Sequence, residues 1–289
     1  MKEVTKETQL VALIGYPLRR THSAVMHNAA FRHFGIDAHY QLRPLPSEDL
    51  DPFFTEARRP RWLGFQVTSP YKQEALARCD AVAGEAKTIG AINTAQVEGG
   101  RVTGYNTDVG GFLASLRSHL GLDPAGLKVV IAGGGGAARA VVYGCLHAGA
   151  EQVTVGTRQL PSALVEGFAT PRLAGAALGS TEFEAALGRA DLAVNATTVG
   201  MTSIGPPFDV GLLPDGAAVF DLVYVPTETQ LLAEARGRGL AAVGGGGMLI
   251  QQAALAFALW TGIATAAPVM EAAVAPLLSD SREAEMSGE

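Results

Sequence analysis

The sequence predicts an α/β fold of two domains, an N-terminal α/β substrate domain followed by a Rossmann-type doubly wound dinucleotide-binding domain. Three observations carry this expectation. Strand-like and helix-like patterns alternate through the N-terminal part. The apolar run Leu127 to Ala132 ends directly on Gly133-Gly134-Gly135-Gly136-Ala137-Ala138-Arg139. Later runs, Leu192 to Asn195 and Ala218 to Leu222, are continuously apolar rather than alternating, as in parallel strands covered on both faces. A chain of 289 residues is long enough for two cores. The expected division is residues 1–110, joined by C-terminal helices at about 247–280, and residues 111–246.

Taken in order, Leu10 to Gly15 reads as a strand, Ser23 to Phe34 as a helix and His39 to Leu42 as a second strand, an order that suggests a parallel layer. Ser47-Glu48-Asp49-Leu50 opens a helix with a cap-like serine, and Trp62 to Thr68 forms a third strand. The stretches Asn93 to Val97 and Arg101 to Gly104 flank Glu98-Gly99-Gly100, a spacing suited to a hairpin. Val109 to Leu120 is helical, and Asp123-Pro124-Ala125-Gly126 is a turn before the next strand. The second unit then runs strand, glycine loop, helix to Ala148, strand Gln152 to Val155, and the two apolar runs named above. Leu240 to Val243 closes the sheet before Gly244-Gly245-Gly246-Gly247, a helix follows from Met248 to Trp260, and the charged tail Ser279 to Glu289 reads as frayed.

Composition excludes several classes. With 28 acidic against 22 basic residues the formal charge is −6, which leaves no basic footprint for nucleic acid. Cys79 and Cys145 are far apart and form no Cys-x-x-Cys, so neither disulfide framework nor zinc site is expected and a reducing cytoplasm fits. The polar N-terminal residues give no secretory signal pattern. Between Arg238 and Glu271 no charged residue occurs, but glycines, glutamines and Pro268 interrupt the stretch. Its uninterrupted apolar part, Ala253 to Trp260, is far short of the ~18 residues a membrane span needs, so no membrane segment is expected.

The glycine loop matches Gly-x-Gly-x-x-Ala, with Gly133, Gly135 and Ala138 in the three roles. In this context, strand before and helix after, such a loop lets backbone approach a pyrophosphate while the helix terminus supplies N–H donors. Beyond the second strand, Gly156-Thr157-Arg158-Gln159 contains no acid to bind an NAD ribose, and Arg158 can grip a 2′-phosphate, so NADP is favoured over NAD. An exposed, ligand-free arginine is the plain alternative. Upstream, Lys72 follows Thr68-Ser69-Pro70-Tyr71 at a strand's end, and Asp108 closes Gly104-Tyr105-Asn106-Thr107. A lysine and a carboxylate there can manage the proton that accompanies hydride transfer. Against this, Lys72 could simply be a surface lysine, and Asp108 a helix cap. Thr21 and Ser23 offer two hydroxyls where a loop enters a helix, either as a carboxylate site with Arg19 and Arg20 or with Ser23 as a cap. His22 and His27 lack the i, i+4 spacing of a metal pair, so no metal is expected.

Together, Gly15-Tyr16-Pro17-Leu18, Thr68 to Lys72, Gly90-Ala91-Ile92-Asn93-Thr94, Asn106-Thr107-Asp108, Gly133 to Arg139, Asn195-Ala196-Thr197 and Gly247-Met248-Leu249 resemble the shikimate dehydrogenase family, including its quinate/shikimate branch, almost from end to end. The resemblance implies reversible NADP-dependent reduction of 3-dehydroshikimate to shikimate, and the expected enzyme is a cytoplasmic monomer or homodimer that binds neither nucleic acid nor membrane. It implies Lys72 and Asp108 as the catalytic pair, and Thr21, Ser23, Thr68, Asn93, Asp108, Tyr224 and Gln252 as substrate contacts. For the cofactor it implies Gly133, Gly134, Gly135, Gly136, Ala137, Thr157, Arg158, Leu222 and Gly245. The chain departs from the family where Arg20-Thr21-His22-Ser23-Ala24 replaces His-Ser-x-Ser-Pro, where Thr157-Arg158-Gln159 replaces Asn-Arg-Thr/Ser, and where Gly244 replaces an acid. Shikimate, quinate and aminoshikimate therefore stay open as substrates, with NAD as a second cofactor. A non-catalytic metabolite sensor on the same fold is the alternative from another class.

Overall fold

The computed structural model describes residues 5–18 and 21–287, the side chains of 279–287 excepted. Contacts divide the chain into two compact units, one of residues 1–107 and 252–277, the other of residues 108–251 and 278–289.

In the first unit the elements run β1 (Gln9–Gly15), α1 (Ser23–His33), β2 (Ala38–Pro44), α2 (Leu50–Ala57), β3 (Trp62–Val67), β4 (Ala81–Val82), α3 (Gly84–Ile89), β5 (Thr94–Glu98) and β6 (Arg101–Tyr105). They build one six-stranded sheet in the order β2-β1-β3-β5-β6-β4. The sheet is mixed rather than parallel. β1 pairs in parallel with β2 and β3, whereas β5 runs antiparallel to both β3 and β6. The tight turn at Gly99 and Gly100, both at positive φ, makes β6 antiparallel to β5, because it returns the chain alongside β5 without a helical crossover. One face is filled by Phe53, Phe54, Trp62 and Phe65, with ring edges packed on ring faces at centroid distances of 5.0 to 6.2 Å.

Two expected caps fall elsewhere. Ser47 lies inside a short 3₁₀ turn, Ser47–Asp49, that follows Pro46 and leads into α2, and its hydroxyl meets Glu48 rather than a helix N–H. At α1 the cap position is His22, whose side chain does not cap the helix, and Ser23 is already the first helical residue. Proline at position 46 fixes the first entry, and a hydroxyl pair between Thr21 and Ser23, 3.1 Å apart, occupies the serine at the second.

The second unit continues with α4 (Asp108–Leu120), β7 (Lys128–Ala132), α5 (Gly136–His147), β8 (Gln152–Thr157), α6 (Ser162–Phe168), β9 (Leu173–Ala177), α7 (Thr181–Leu187), β10 (Leu192–Asn195), β11 (Ala218–Asp221), α8 (Gln230–Gly237) and β12 (Ala241–Val243). Its sheet has the order β12-β11-β10-β7-β8-β9 and every pair in it is parallel. That is the doubly wound order, with the direction of winding reversing between β7 and β10. The apolar runs are buried along both faces, by Val129, Ile131, Val194 and Phe220 on one side and Val130, Ala193 and Val219 on the other. Each fully buried valine, leucine or phenylalanine contributes about 1.5–3 kcal/mol, which is why these strands need no alternation.

Two helices, α9 (Gly246–Thr261) and α10 (Ala267–Ser287), complete the chain. The expected glycine loop before α9 is in part helix, since α9 starts two residues before Met248. Gly247 is there for close approach, because a β-carbon on it would lie 2.7 Å from Ser115 Oγ and 2.5 Å from His119 Cε1. The later turns of α9 belong to the first unit. Trp260 Nε1 donates to Ala95 O at 2.9 Å, Gln96 Nε2 donates to Leu259 O at 2.7 Å, and Phe257 packs 5.1 Å from Phe31. The charged tail, read as frayed, continues as helix to Ser287. Among the described residues no helix is long and apolar enough to cross a membrane.

Candidate active site

In the first unit β1 and β3 lie side by side and parallel, while the chain leaves β1 toward β2 on the other side. Loops after adjacent strands that part in this way are where α/β sheets gather ligands. The segment leading from β1 into α1 carries Thr21, half-buried, and Ser23, the buried first residue of the helix. Ser23 N donates to Thr21 Oγ1 at 3.3 Å, so the two hydroxyls form one local turn at the start of α1. Arg19 and Arg20 lie outside the described residues. After β3, Thr68 N donates to Ile14 O at 2.9 Å, and a β-carbon on Gly15 would sit 2.5 Å from Thr68 Cγ2, so only glycine admits the two loops this close.

Lys72 is half-buried in the continuation of that loop, and its carbonyl accepts from Ile92 N at 2.8 Å. This bond joins the lysine segment to Asn93, which starts the antiparallel part of the sheet. Asn93 O accepts from Val67 N at the end of β3, and Asn93 N donates to Tyr105 O at the end of β6. Because β5 runs against its neighbours, its first residues lie at the same end of the sheet as the last residues of β3 and β6. Thr68, Lys72, Asn93 and Thr107 therefore share one end. Asp108 follows directly as the first residue of α4, 5% exposed.

Asn93 is the hub of a buried polar cluster. Its Oδ1 accepts from Thr107 N at 2.7 Å and from Thr94 Oγ1 at 3.0 Å, and its Nδ2 donates to Thr107 Oγ1 at 2.9 Å and to Gln252 Oε1 at 3.4 Å. Gln252, on α9, also accepts from Gln66 Nε2 at 2.8 Å. Behind Gln66 stand Tyr40, whose hydroxyl donates to Gln66 Oε1 at 2.7 Å, and His27, whose Nε2 lies 3.2 Å from the same oxygen. His27 is fully buried and stacked on Tyr40 at 4.5 Å, and burial brings its pKa down to about 3 against a smaller opposing effect of the Gln66 bond. The sequence reading found Asn93 and Gln252 but missed Gln66, Tyr40 and His27. A glutamine within the apolar strand Trp62–Val67 was the available signal, since a buried amide needs partners.

In the second unit Gly133 follows β7 and Ala196 follows β10, the two strands where the winding reverses. Gly133 has φ +123°, and a β-carbon there would lie 2.6 Å from Ala196 O. Gly134 abuts Thr157, and Gly135, exposed and extended, is the cap residue of α5 with open space where its β-carbon would be. Gly136 and half-buried Ala137 form the first turn of the helix, and Ala138 is fully buried beneath the loop. Thr157 ends β8 with its hydroxyl turned onto Gln159 O, and Arg158 beside it is exposed. Leu222 N donates to Asn195 O at 2.9 Å, and a β-carbon on Gly245 would meet Leu222 O at 2.2 Å, so Leu222 and Gly245 are packed backbone to backbone. Tyr224 is half-buried in the loop after β11.

That loop is anchored by a buried carboxylate the sequence reading did not single out. Asp221 Oδ1 accepts from Asn195 Nδ2 at 2.8 Å and from Val223 N at 3.0 Å, and Oδ2 accepts from Thr229 Oγ1 at 2.6 Å. Burial pushes its carboxyl upward, and these bonds oppose the shift. Among the described residues no group of three or more His, Cys, Asp or Glu could hold a metal ion. A dinucleotide does fit. The loop places glycine where backbone must approach backbone, leaves room at Gly135, and turns the N–H groups at the head of a twelve-residue helix toward that room.

The profile of the shikimate dehydrogenase substrate binding domain matches residues 13–95, and that of the shikimate 5′-dehydrogenase C-terminal domain matches residues 245–275. A shikimate dehydrogenase (NADP(+)) of Geobacter sp. (strain M21) is 40% identical over 284 residues, 96% of this chain and 98% of that protein. Among solved structures, shikimate 5-dehydrogenase from Thermus thermophilus, in complex with NADP(H) and shikimate, superposes with a TM-score of 0.83 at 37% identity, covering 93% of this chain and 99% of the other. Quinate dehydrogenase from Corynebacterium glutamicum, in complex with NAD, superposes with a TM-score of 0.81 at 31% identity over 91% of this chain and 98% of the other. The shared end of the first sheet, the doubly wound second sheet with its glycine loop, and an identity of 40% over nearly the full length agree: the chain belongs to the shikimate dehydrogenase family.

Proposed function

We propose that the protein is an NADP-dependent shikimate dehydrogenase that interconverts 3-dehydroshikimate and shikimate. The observation that carries this reading is the gathering of Thr68, Lys72, Asn93 and Thr107 at one end of the first sheet, with the chain entering Asp108 at that point. Thr21 and Ser23 hold the substrate carboxylate with two hydroxyls at the start of a helix. Thr68, Asn93, Tyr224 and Gln252 meet ring hydroxyls. The Lys72 ammonium hydrogen-bonds the reacting carbonyl oxygen and gives it a proton as the carbonyl becomes an alcohol; in the reverse direction the amine takes that proton back. Asp108 orients the lysine and accepts from a ring hydroxyl.

The residues that would hold NADP are Gly133 to Ala137, with Thr157, Arg158, Leu222 and Gly245. Bound in reduced form it supplies the hydride that the carbonyl carbon receives. Arg158 meets the 2′-phosphate with its fork of donors, which gives the preference for NADP over NAD.

A second reading, a quinate/shikimate dehydrogenase that accepts NAD, is favoured by Gln159 where the family carries a hydroxyl residue and by the likeness to the quinate dehydrogenase. Initial rates with shikimate and quinate, each against NADP and NAD, separate the two. Dominant turnover of shikimate with NADP supports the first, dominant turnover of quinate or with NAD supports the second, and no turnover in any pairing overturns both. The reading takes the enzyme as a cytoplasmic monomer or homodimer, which cell fractionation and light scattering test.

A further inference from the structure

An amide side chain can present either its oxygen or its nitrogen to a neighbour, and only a partner that cannot be reversed decides between them. The cluster around Asn93 contains one such partner. The backbone N–H of Thr107 can only donate, and it meets the Asn93 side chain at 2.7 Å, so that atom must be Oδ1. Asn93 therefore turns Nδ2 toward Gln252. A donor there requires Gln252 to answer with Oε1, and Gln66 on the other side must then supply Nε2 to the same oxygen, at 2.8 Å. With its nitrogen committed, Gln66 points Oε1 at Tyr40 and His27. Both must donate to it, so His27 carries its proton on Nε2. The buried Nδ1 of His27, which has no hydrogen-bond partner, is then a bare lone pair rather than a stranded N–H. Burial that holds this histidine neutral keeps the arrangement free of charge.

Polarity set by one peptide N–H thus runs through five side chains. Both lone pairs of Gln252 Oε1 are taken, by Gln66 and Asn93, so the hydrogen bonding Gln252 can offer a ligand is donation from Nε2. We propose that Gln66, backed by Tyr40 and His27, is a positioning residue that locks Gln252 as a hydrogen-bond donor, so that the ring hydroxyl it meets is bound through its oxygen as an acceptor. The proposal rests on the shikimate reading given above, in which Gln252 contacts substrate.

The test is a double-mutant cycle on the full-length protein with Gln66→Met, Gln252→Met and the pair, measuring KM for shikimate, KM for NADP, kcat and Tm. Each single variant is expected to raise the shikimate KM about tenfold, the cost of one neutral hydrogen bond, with kcat and the NADP KM changed less than about twofold. The pair is expected to be no worse than Gln252→Met alone, because Gln66 acts through Gln252. A pair whose KM rises by the product of the two single effects overturns the proposal, as does an unchanged KM in Gln66→Met. A general structural role would lower Tm and raise both KM values together, which also overturns it. Should Gln66→Met fail to fold, Tyr40→Phe replaces it in the same cycle, with a smaller rise expected that vanishes in the Gln252→Met background; a rise that persists there overturns the proposal. Absence of shikimate turnover by the wild-type chain removes the functional reading and the inference with it, whereas wild-type turnover with multiplying variants removes the inference alone.

Discussion

Alanine substitutions at Gly133 and Gly135, two residues apart in one loop, should separate what the fold needs from what the cofactor needs. At Gly133 the backbone has φ +123°, a region that side chains rarely adopt, and the added β-carbon would lie 2.6 Å from Ala196 O and 2.8 Å from Ala196 C. Neither atom is the far end of a flexible side chain; both are backbone following β10, which is paired along its length with β7 and β11. Strain of about 1–3 kcal/mol from the dihedral and a further 1–3 kcal/mol from overpacking give an expected loss of roughly 2–6 kcal/mol. Gly135 is the opposite case, since its φ is −75° and a β-carbon there meets nothing within 4 Å. Gly135→Ala should leave stability unchanged or raise it by about 0.4–1 kcal/mol by restricting the unfolded chain. It should nevertheless weaken NADP binding at least ~10-fold, because the methyl group occupies the space a pyrophosphate needs. Urea unfolding of both variants, with NADPH titrations followed by the fluorescence of the reduced nucleotide, measures the two quantities independently. Equal stability losses in the two variants, or unimpaired NADP binding by Gly135→Ala, would refute the reasoning.

Further expectations concern charge and protons. Arg158→Ala should raise the NADP KM by roughly 10–100-fold, the worth of a charged hydrogen bond, and leave the NAD KM unchanged; an unaltered ratio of the two constants would dismiss the phosphate clamp. Lys72→Met should lower kcat about 10²–10⁴-fold, with NADP binding measured by titration unaffected; full turnover by this variant would end the proton-transfer assignment. Burial holds His27 neutral in the fold down to about pH 3, while an unfolded histidine takes up its proton near pH 6.5. The unfolded chain therefore binds the extra proton between these values, so this contribution to stability is complete above pH 6.5 and is lost as pH falls toward 3, with a slope of at most about 1.4 kcal/mol per pH unit. His27→Gln should show a shallower acid loss in urea midpoints measured from pH 7 to pH 4, and parallel curves for the two proteins would contradict the assignment.

The two units differed in how legibly the sequence described them. In the second, strands β7, β10 and β11 were readable because burial on both faces requires unbroken apolar runs, and the glycine loop was readable because backbone must pass backbone there. Strand β9, Leu173–Ala177, escaped notice: its run Leu-Ala-Gly-Ala-Ala carries little side-chain volume and no alternation. In the first unit the hairpin was visible in its glycine turn, but its effect on neighbouring strand directions was not, since pairing joins segments distant in sequence. The cap expected from Ser47 failed because Pro46 fixes the entry to a 3₁₀ turn, and helix α9 began inside glycines that had looked like a loop.

By itself the sequence determined the alternating order of elements, the position of the glycine loop and the residue types available for proton and phosphate chemistry, because each depends on neighbours a few places along the chain. Tertiary structure decided which of them meet. Asn93 joins the Lys72 segment only through the antiparallel return of β5, and Gln252 reaches Gln66, 186 positions away, only because α9 lies against the sheet. The donor or acceptor sense of an amide is likewise invisible in a string of letters: it is fixed by the one peptide N–H that folding places beside Asn93.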